Sequence, residues 1–253
     1  MGKIISFANQ KGGVGKTTSA VNIAASLGVL GYKVLLIDLD PQGNATSGVG
    51  IVKKALKLTA FDLLTTDTPA KDVIIKTRFD NLSVIPTNTT LARVEHDLAD
   101  VEKGEEIIKN KLAAIRDEYD YIIIDCPPSL GMLSVNAITA SDGVVIPMQC
   151  EFFALEGLSQ LMLTIRLVKK HYNPDLTITG ILVTMYNNRL LHSMQVISEL
   201  RKHYAEKLFE TTVSRNVKLS EAPSYGTPVY YHEKRSKGAV EYMNIAKELA
   251  ERI

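Results

Sequence analysis

The stretch Phe7-Ala8-Asn9-Gln10-Lys11-Gly12-Gly13-Val14-Gly15-Lys16-Thr17-Thr18 constrains this chain more than any other. A β-prone run, Lys3 to Ala8, leads into a turn holding three glycines, and a helical stretch, Thr17 to Leu27, follows. Glycines let a backbone turn tightly enough for successive N–H groups to point inward at an anion. The start of the helix adds the positive end of its dipole. A strand, a glycine turn and a helix in that order predict a phosphate-binding loop. Lys16 is then placed for β- and γ-phosphates, and the Thr17 hydroxyl for Mg²⁺. The general pattern G-x-x-x-x-G-K-[ST] asks for glycine at position 10, where this chain has Gln10. A second lysine, Lys11, stands near the loop's start, and a loop with two lysines is a narrower signal than the ordinary one.

The rest of the chain alternates strand-like and helix-like segments. Lys33 to Asp38 is a short apolar run ending in acid, and Tyr121 to Asp125 reads as a fully buried strand. Asn81 to Pro86, Gly143 to Met148 and Leu176 to Thr184 repeat the strand pattern, and Phe209 to Val213 is a candidate final strand. Glu105 to Glu118 spaces Ile107, Ile108, Lys111, Leu112 and Ile115 as a helix does. Phe153 to His171, Leu190 to Lys207 and Lys237 to Arg252 read as long helices. This alternation predicts an α/β fold, a mostly parallel twisted sheet with helices on both faces, of phosphate-loop NTPase type. With no repeat, low-complexity tract or linker in 253 residues, a single domain spanning 1–253 is expected. Gly43 to Leu58 and Lys71 to Arg78 are the least regular segments.

Ligands of such sheets bind beyond the carboxyl ends of the strands, and the acidic motifs fall there. Asp38-Leu39-Asp40-Pro41-Gln42-Gly43-Asn44 carries two carboxylates out of a buried strand into a turn. Asp125 ends an all-apolar strand, the usual place for an acid that reaches Mg²⁺ through water in phosphate-loop enzymes. Each acid alone reads as a helix cap or loop residue; together with the loop they read as a nucleotide site.

Lys11 to Thr18, then Asp38-x-Asp40-Pro41-Gln42-Gly43-Asn44, then Asp125-Cys126-Pro127-Pro128-Ser129 resemble the deviant Walker A ATPases of the ParA/MinD group. The likeness is closest to the short chromosomal ParA proteins called Soj. It continues through Ala140-Ser141-Asp142, Gln149-Cys150-Glu151, Ala154 to Leu158 and Arg215 to Pro223, so it spans nearly the whole chain. The resemblance implies ATP and Mg²⁺ as cofactors. It implies that Lys11 crosses a nucleotide-sandwich homodimer to the partner's ATP, with Gly12 and Gly13 allowing the close approach. Lys16 would hold the β- and γ-phosphates within a loop completed by Val14, Gly15, Thr17 and Thr18. Thr17 would ligate the metal, Asp38 and Asp125 would support it through water, and Asp40 would orient the attacking water. Asn216 to Pro223 resembles the segment that packs on adenine, with Ser214 where many relatives have proline.

The same resemblance implies a DNA-segregation ATPase whose ATP dimer binds nonspecific DNA and whose hydrolysis a ParB-like protein stimulates. A role toward a replication initiator is also implied for Soj-like proteins. The DNA candidates are Arg189 and Lys218, with Arg215 and Arg235 beside them. Charge is weakly consistent: residues 189–253 hold 11 Lys and Arg against 8 Asp and Glu, while the whole chain is +1. A MinD-like membrane-surface ATPase is the competing reading. It needs a basic amphipathic helix after the fold, whereas the last helix reads as core-packing with acids on its polar face. Cys126 and Cys150 lack iron–sulfur or zinc spacing and are expected to be buried structural thiols. The start enters a strand directly and no apolar run approaches ~20 residues, so a cytoplasmic, nucleoid-associated protein without membrane contact is expected.

Overall fold

The computed structural model describes residues 1–151 and 154–253. Among the described residues seven strands form one sheet: β1 (Lys3–Phe7), β2 (Val34–Asp38), β3 (Ile75–Lys76), β4 (Leu82–Ile85), β5 (Tyr121–Asp125), β6 (Gly143–Gln149) and β7 (Thr177–Thr184). Their spatial order is β3-β4-β2-β5-β1-β6-β7. All neighbours are parallel except the short β3–β4 edge pair. The mostly parallel α/β expectation therefore holds.

The helices are α1 (Lys16–Val29), α2 (Asn44–Gly48), α3 (Ala60–Thr65), α4 (Ala70–Val73), α5 (Val94–Asp97) and α6 (Ile107–Ala113). They continue with α7 (Met132–Ala140), α8 (Ala154–His171), α9 (Leu191–Tyr204), α10 (Val217–Glu221), α11 (Val229–His232) and α12 (Lys237–Arg252). The expected helix start at Phe153 lies outside the described residues.

The all-apolar strands follow from burial on both faces. Successive side chains alternate across a sheet. Ile122 and Ile124 thus join one core with α3, α6, α7, α8 and α9 residues such as Leu63, Leu112, Ile138 and Leu161. Tyr121 and Ile123 join the other, with Ile23 and Leu27 of α1 and Tyr242 and Ile245 of α12. The last helix is core-packing as expected: it buries Tyr242, Ile245, Ala246 and Leu249.

The chain leaves β1 towards β2 on one side, and later leaves β5 towards β6 on the other. β5 slots between β1 and β2, so the connections diverge at the β1–β5 boundary. Such a reversal opens a crevice at the carboxyl edge. The register sets Asp38 beside Asp125, each the last residue of its strand, and Phe7 on the other side of Asp125.

Three expectations are corrected. Phe209–Val213 is not a strand. Phe209 and Val213 N–H groups do donate to Ile181 and Val183 carbonyls of β7, at 3.0 and 2.9 Å. Between them, the N–H groups of Glu210 and Thr211 turn to the Glu248 carboxylate on α12 instead, which breaks the ladder. The 105–118 helix is also shorter: α6 is flanked by 3₁₀ turns at Gly104–Glu106 and Arg116–Glu118. Its apolar face is still buried at Ile108, Leu112 and Ile115. Lys111 leaves that face by donating to the Thr66 and Thr68 carbonyls. Similarly, the 190–207 helix gives way to a 3₁₀ turn after Tyr204.

Candidate nucleotide site

The loop between β1 and α1 turns on Gly13 and Gly15, whose φ values of 73° and 85° lie in the left-handed region that favours glycine. Gly15 is the N-cap of α1 and supplies no side-chain cap, which leaves the first N–H groups of the helix for a ligand. Gly12 and Gly13 have open space where a Cβ would stand. Lys16 lies in the first turn, only 6% exposed, with its ammonium donating to the Lys11 carbonyl at 3.1 Å. Burial lowers its pKa, and the nearby Asp125, Cys126 and Asp40 partly offset this.

The loop is braced from the neighbouring strands. Asn9 Nδ2 donates to the Pro147 carbonyl at 2.8 Å, and Asn9 Oδ1 accepts from the Lys11 N–H. Gln149 Nε2 donates to the Gly13 carbonyl at 2.7 Å. The buried Thr184 hydroxyl lies 2.8 Å from the Val14 carbonyl and 3.1 Å from that of Met148. Lys11 forms an ion pair with Glu151.

The three acids differ in their surroundings. Asp38 is fully buried and accepts from the Thr46 N–H and hydroxyl, both at 2.7 Å, and from the Asp40 N–H. Burial pushes its pKa up, against the pull of those bonds. Asp125 is also fully buried, yet among the described residues neither carboxylate oxygen has a hydrogen-bond partner. Burial, then the neighbouring Asp38 charge, hold its pKa well above the usual carboxylate range; the nearby Thr17 hydroxyl offsets only part. Asp40 stands two residues after Asp38, its Oδ1 accepting from the Gln42 N–H at 2.9 Å.

A cavity of about 280 Å³ joins these pieces, lined among others by Gly13, Lys16, Thr17, Asp40, Asn44 and Met185. A second, of about 290 Å³, shares Gly15, Thr18 and Met185 with it and is closed by Asn216, Pro223 and Tyr242. Asn216 is the N-cap of α10, accepting from the Lys218 N–H at 2.8 Å. Ser214 donates through both its N–H and its hydroxyl to Glu241 on α12, which pins the loop without a proline. Of the residues singled out for nucleotide, Gly12, Gly13, Gly15, Lys16, Thr17, Thr18, Asp40, Asn216 and Pro223 line these two adjoining cavities, whereas Val14, Asp38 and Asp125 are buried and line neither.

The basic candidates fall less evenly. Arg189, in the β7–α9 loop, and Arg215 and Arg235 are exposed. Among the described residues none of the three pairs with a carboxylate. The Arg189 N–H caps Asn187 Oδ1. Arg215 lines a third cavity with Asn187, Asn188 and Lys237, which brings it to the Arg189 loop. Lys218 is instead paired with Glu221 at 2.7 Å, and Glu221 also faces His232 at 3.4 Å.

Motif reading missed Thr184 and Met185, and it held Gln149 only within the Gln149-Cys150-Glu151 likeness, with no role of its own. Met185 touches both the phosphate-side and base-side cavities, and its φ of 49° is unusual for a bulky residue. Its sulfur accepts from Gln149 Nε2 at 3.1 Å. For Thr184 and Met185 the available signal was position alone, at the carboxyl end of a predicted strand. Cys126 and Cys150 are buried free thiols, as expected. Among the described residues no three His, Cys, Asp or Glu side chains are arranged as an all-protein metal cage.

The fold and crevice together define a protein of the phosphate-loop NTPase type. The profile of the AAA domain family matches residues 2–178. The sporulation initiation inhibitor protein Soj of Bacillus subtilis is 53% identical over 250 residues, 99% of either chain. The chromosome partitioning protein ParA of Myxococcus xanthus is 46% identical over 252 residues, covering 100% of this chain and 89% of its own. A Mycobacterium smegmatis structure described as cobyrinic acid a,c-diamide synthase, with bound ATP analog and magnesium, superposes with a TM-score of 0.87 at 34% identity. It covers 99% of this chain and 95% of its own. The chain belongs to the AAA domain family, in its ParA/Soj-type ATPase group.

Proposed function

We propose that the chain is a DNA-segregation ATPase that hydrolyses ATP slowly and is switched by the lifetime of its ATP-bound dimer. The observation that carries this is a cavity lined by Lys16, Thr17 and Asp40, with the buried pair Asp38 and Asp125 close to them and a second lysine, Lys11, in the same loop. The likeness to Soj and ParA proteins supports the segregation role.

The residues fit a magnesium ion. Asp125 keeps two buried oxygens without partners, and the Thr17 hydroxyl stands close by. Thr17 would ligate the ion directly, Asp38 and Asp125 through water. When bound, Mg²⁺ neutralises charge on the β- and γ-phosphates. Lys16 needs only to leave the Lys11 carbonyl to meet the phosphates. Asp40 would orient the attacking water, and Asn216 and Pro223 would flank the adenine. Phosphoryl transfer depends on positive charge placed around the γ-phosphate. If Lys11 comes from the partner subunit, the monomer lacks part of that charge, and turnover waits on pairing. ATP then favours the homodimer because both subunits hold it.

The unpaired Arg189 and Arg215, with Arg235, support a nonspecific DNA surface doubled in the dimer. A ParB-like protein would stimulate hydrolysis, and contact with a replication initiator follows from the same kinship. Among the described residues no helix is long and apolar enough to cross a membrane. No observation favours a MinD-like membrane-surface role, and nucleoid association is the proposed location. The test is DNA retention by an Asp40→Ala protein with ATP, with ADP and without nucleotide. Binding to unrelated DNA sequences only with ATP is expected. Equal binding in all three states, or none at low salt, defeats the segregation reading.

A further inference from the structure

We infer that Glu151 is a positioning residue that latches Lys11 onto its own subunit, so that pairing of two ATP-bound copies requires this latch to open. The inference rests on the sandwich-dimer reading above and adds what holds the two-lysine loop closed before pairing. Four observations carry it.

First, the ammonium of Lys11 pairs with the Glu151 carboxylate, from a segment 140 residues away that follows the end of β6. A lysine committed to this carboxylate is withheld from a phosphate on another subunit. Second, the neighbouring Gln10 is held from the same side, its Nε2 donating to Gln160 Oε1 on α8 at 2.5 Å. Both entry residues of the loop thus rest on the β6–α8 region. Third, the backbone beneath them is fixed independently. The Lys11 N–H bonds to Asn9 and the Gly13 carbonyl bonds to Gln149, and neither contact involves Lys16. The Lys11 side chain can therefore swing without the loop moving. Nothing stands within 4 Å of a Cβ built on Gly12 or Gly13, so the space above the loop is open to it.

Fourth, the pair has the strength of a latch rather than of a lock. The two side chains are 38% and 48% exposed, so water screens their attraction. Glu151 also has somewhere to go. It lines a cavity that Arg215 and Lys237 also line.

Exposed ion pairs of this kind shift an equilibrium by about 1.4- to 5-fold. Each dimer opens two latches, so their removal should tighten the dimer by about 2- to 25-fold. The experiment compares Asp40→Ala with Asp40→Ala/Glu151→Gln by sedimentation over a range of protein concentrations, with Mg²⁺ and ATP. The Gln variant should show a lower dimer dissociation constant with ATP, and no dimer with ADP. Asp40→Ala/Glu151→Asp, which keeps the charge, should return towards the parent value. Asp40→Ala/Glu151→Lys, which repels Lys11, should dimerise at least as tightly as the Gln variant. Structural damage at position 151 would loosen the dimer, so the direction of change separates the latch from a packing role. An ATP dimer in the parent with an unchanged or weaker one in both Gln and Lys variants overturns the latch alone. Absence of any ATP dimer in the parent overturns the sandwich reading, and the latch with it.

Discussion

Replacing Asp125 with Asn should make the nucleotide-free protein more stable while impairing its magnesium-dependent response to ATP. Both oxygens of this carboxylate are buried without a hydrogen-bond partner, directly beside the buried Asp38. A buried polar group left unsatisfied costs about 1–3 kcal/mol, and more when charged. Asn keeps two polar atoms at this position but removes the charge, and with it the repulsion from Asp38 and the larger part of the desolvation cost, which puts the gain at about 1–3 kcal/mol. In a chain of this size 1 kcal/mol moves Tm by about 2–4 °C, which gives a rise of about 2–12 °C.

The pH dependence follows from the direction of the shifts. Burial raises the folded-state pKa of Asp125 above its ordinary value of 3.8, and does the same to Asp38. Above pH 3.8 the folded protein then binds more protons than the unfolded chain, so stability falls as pH rises towards the folded pKa. The penalty is absent below the ordinary value and fully developed above the raised one. Asp125→Asn removes its share of that slope. The gain should therefore be small near about pH 4.5 and larger near about pH 8. Thermal unfolding at several pH values, without nucleotide and in the presence of chelator, measures it. A second series with ATP and Mg²⁺ should show a smaller ligand-induced rise in the variant than in wild type. A variant less stable than wild type at pH 8, or a gain that does not depend on pH, refutes the reasoning.

Three further outcomes are expected. Asp40→Ala should retain ATP binding and lower turnover by about 10²- to 10⁴-fold, as loss of a group acting on the attacking water would; steady-state ATPase assays beside equilibrium binding check this. Thr184→Val keeps shape but strips the Val14 and Met148 carbonyls of a buried donor, so chemical unfolding should show a loss of about 1–3 kcal/mol. Arg189→Ala and Arg215→Ala should each make the slope of log DNA affinity against log salt shallower by about 0.9 on duplex DNA. Lys218→Ala should do less, because Glu221 already neutralises that lysine.

The local chemistry of the site was legible in the sequence because it is written in contiguous residues. A glycine turn between a strand and a helix has few physical solutions, so Gly12 to Thr18 and the strand-ending acids Asp38 and Asp125 could be read directly. Alternating apolar segments likewise implied a parallel sheet. The strand at Phe209–Val213 was misread because its outcome turned on Glu248, an acid on a distant helix that captured two of its N–H groups. The braces on the loop were hidden for the same reason: Gln149, Thr184 and Met185 are remote in sequence, and nothing in the chain's order ties them to the loop. Arg189 and Lys218 looked alike as isolated cations, and only packing set Glu221 against one of them. Above all, the insertion of β5 between β1 and β2 brought Asp125 against Asp38. Pattern along a chain records which side chains a site can use. Burial, register and pairing decide their charge and their reach, because those depend on neighbours that only the folded chain supplies.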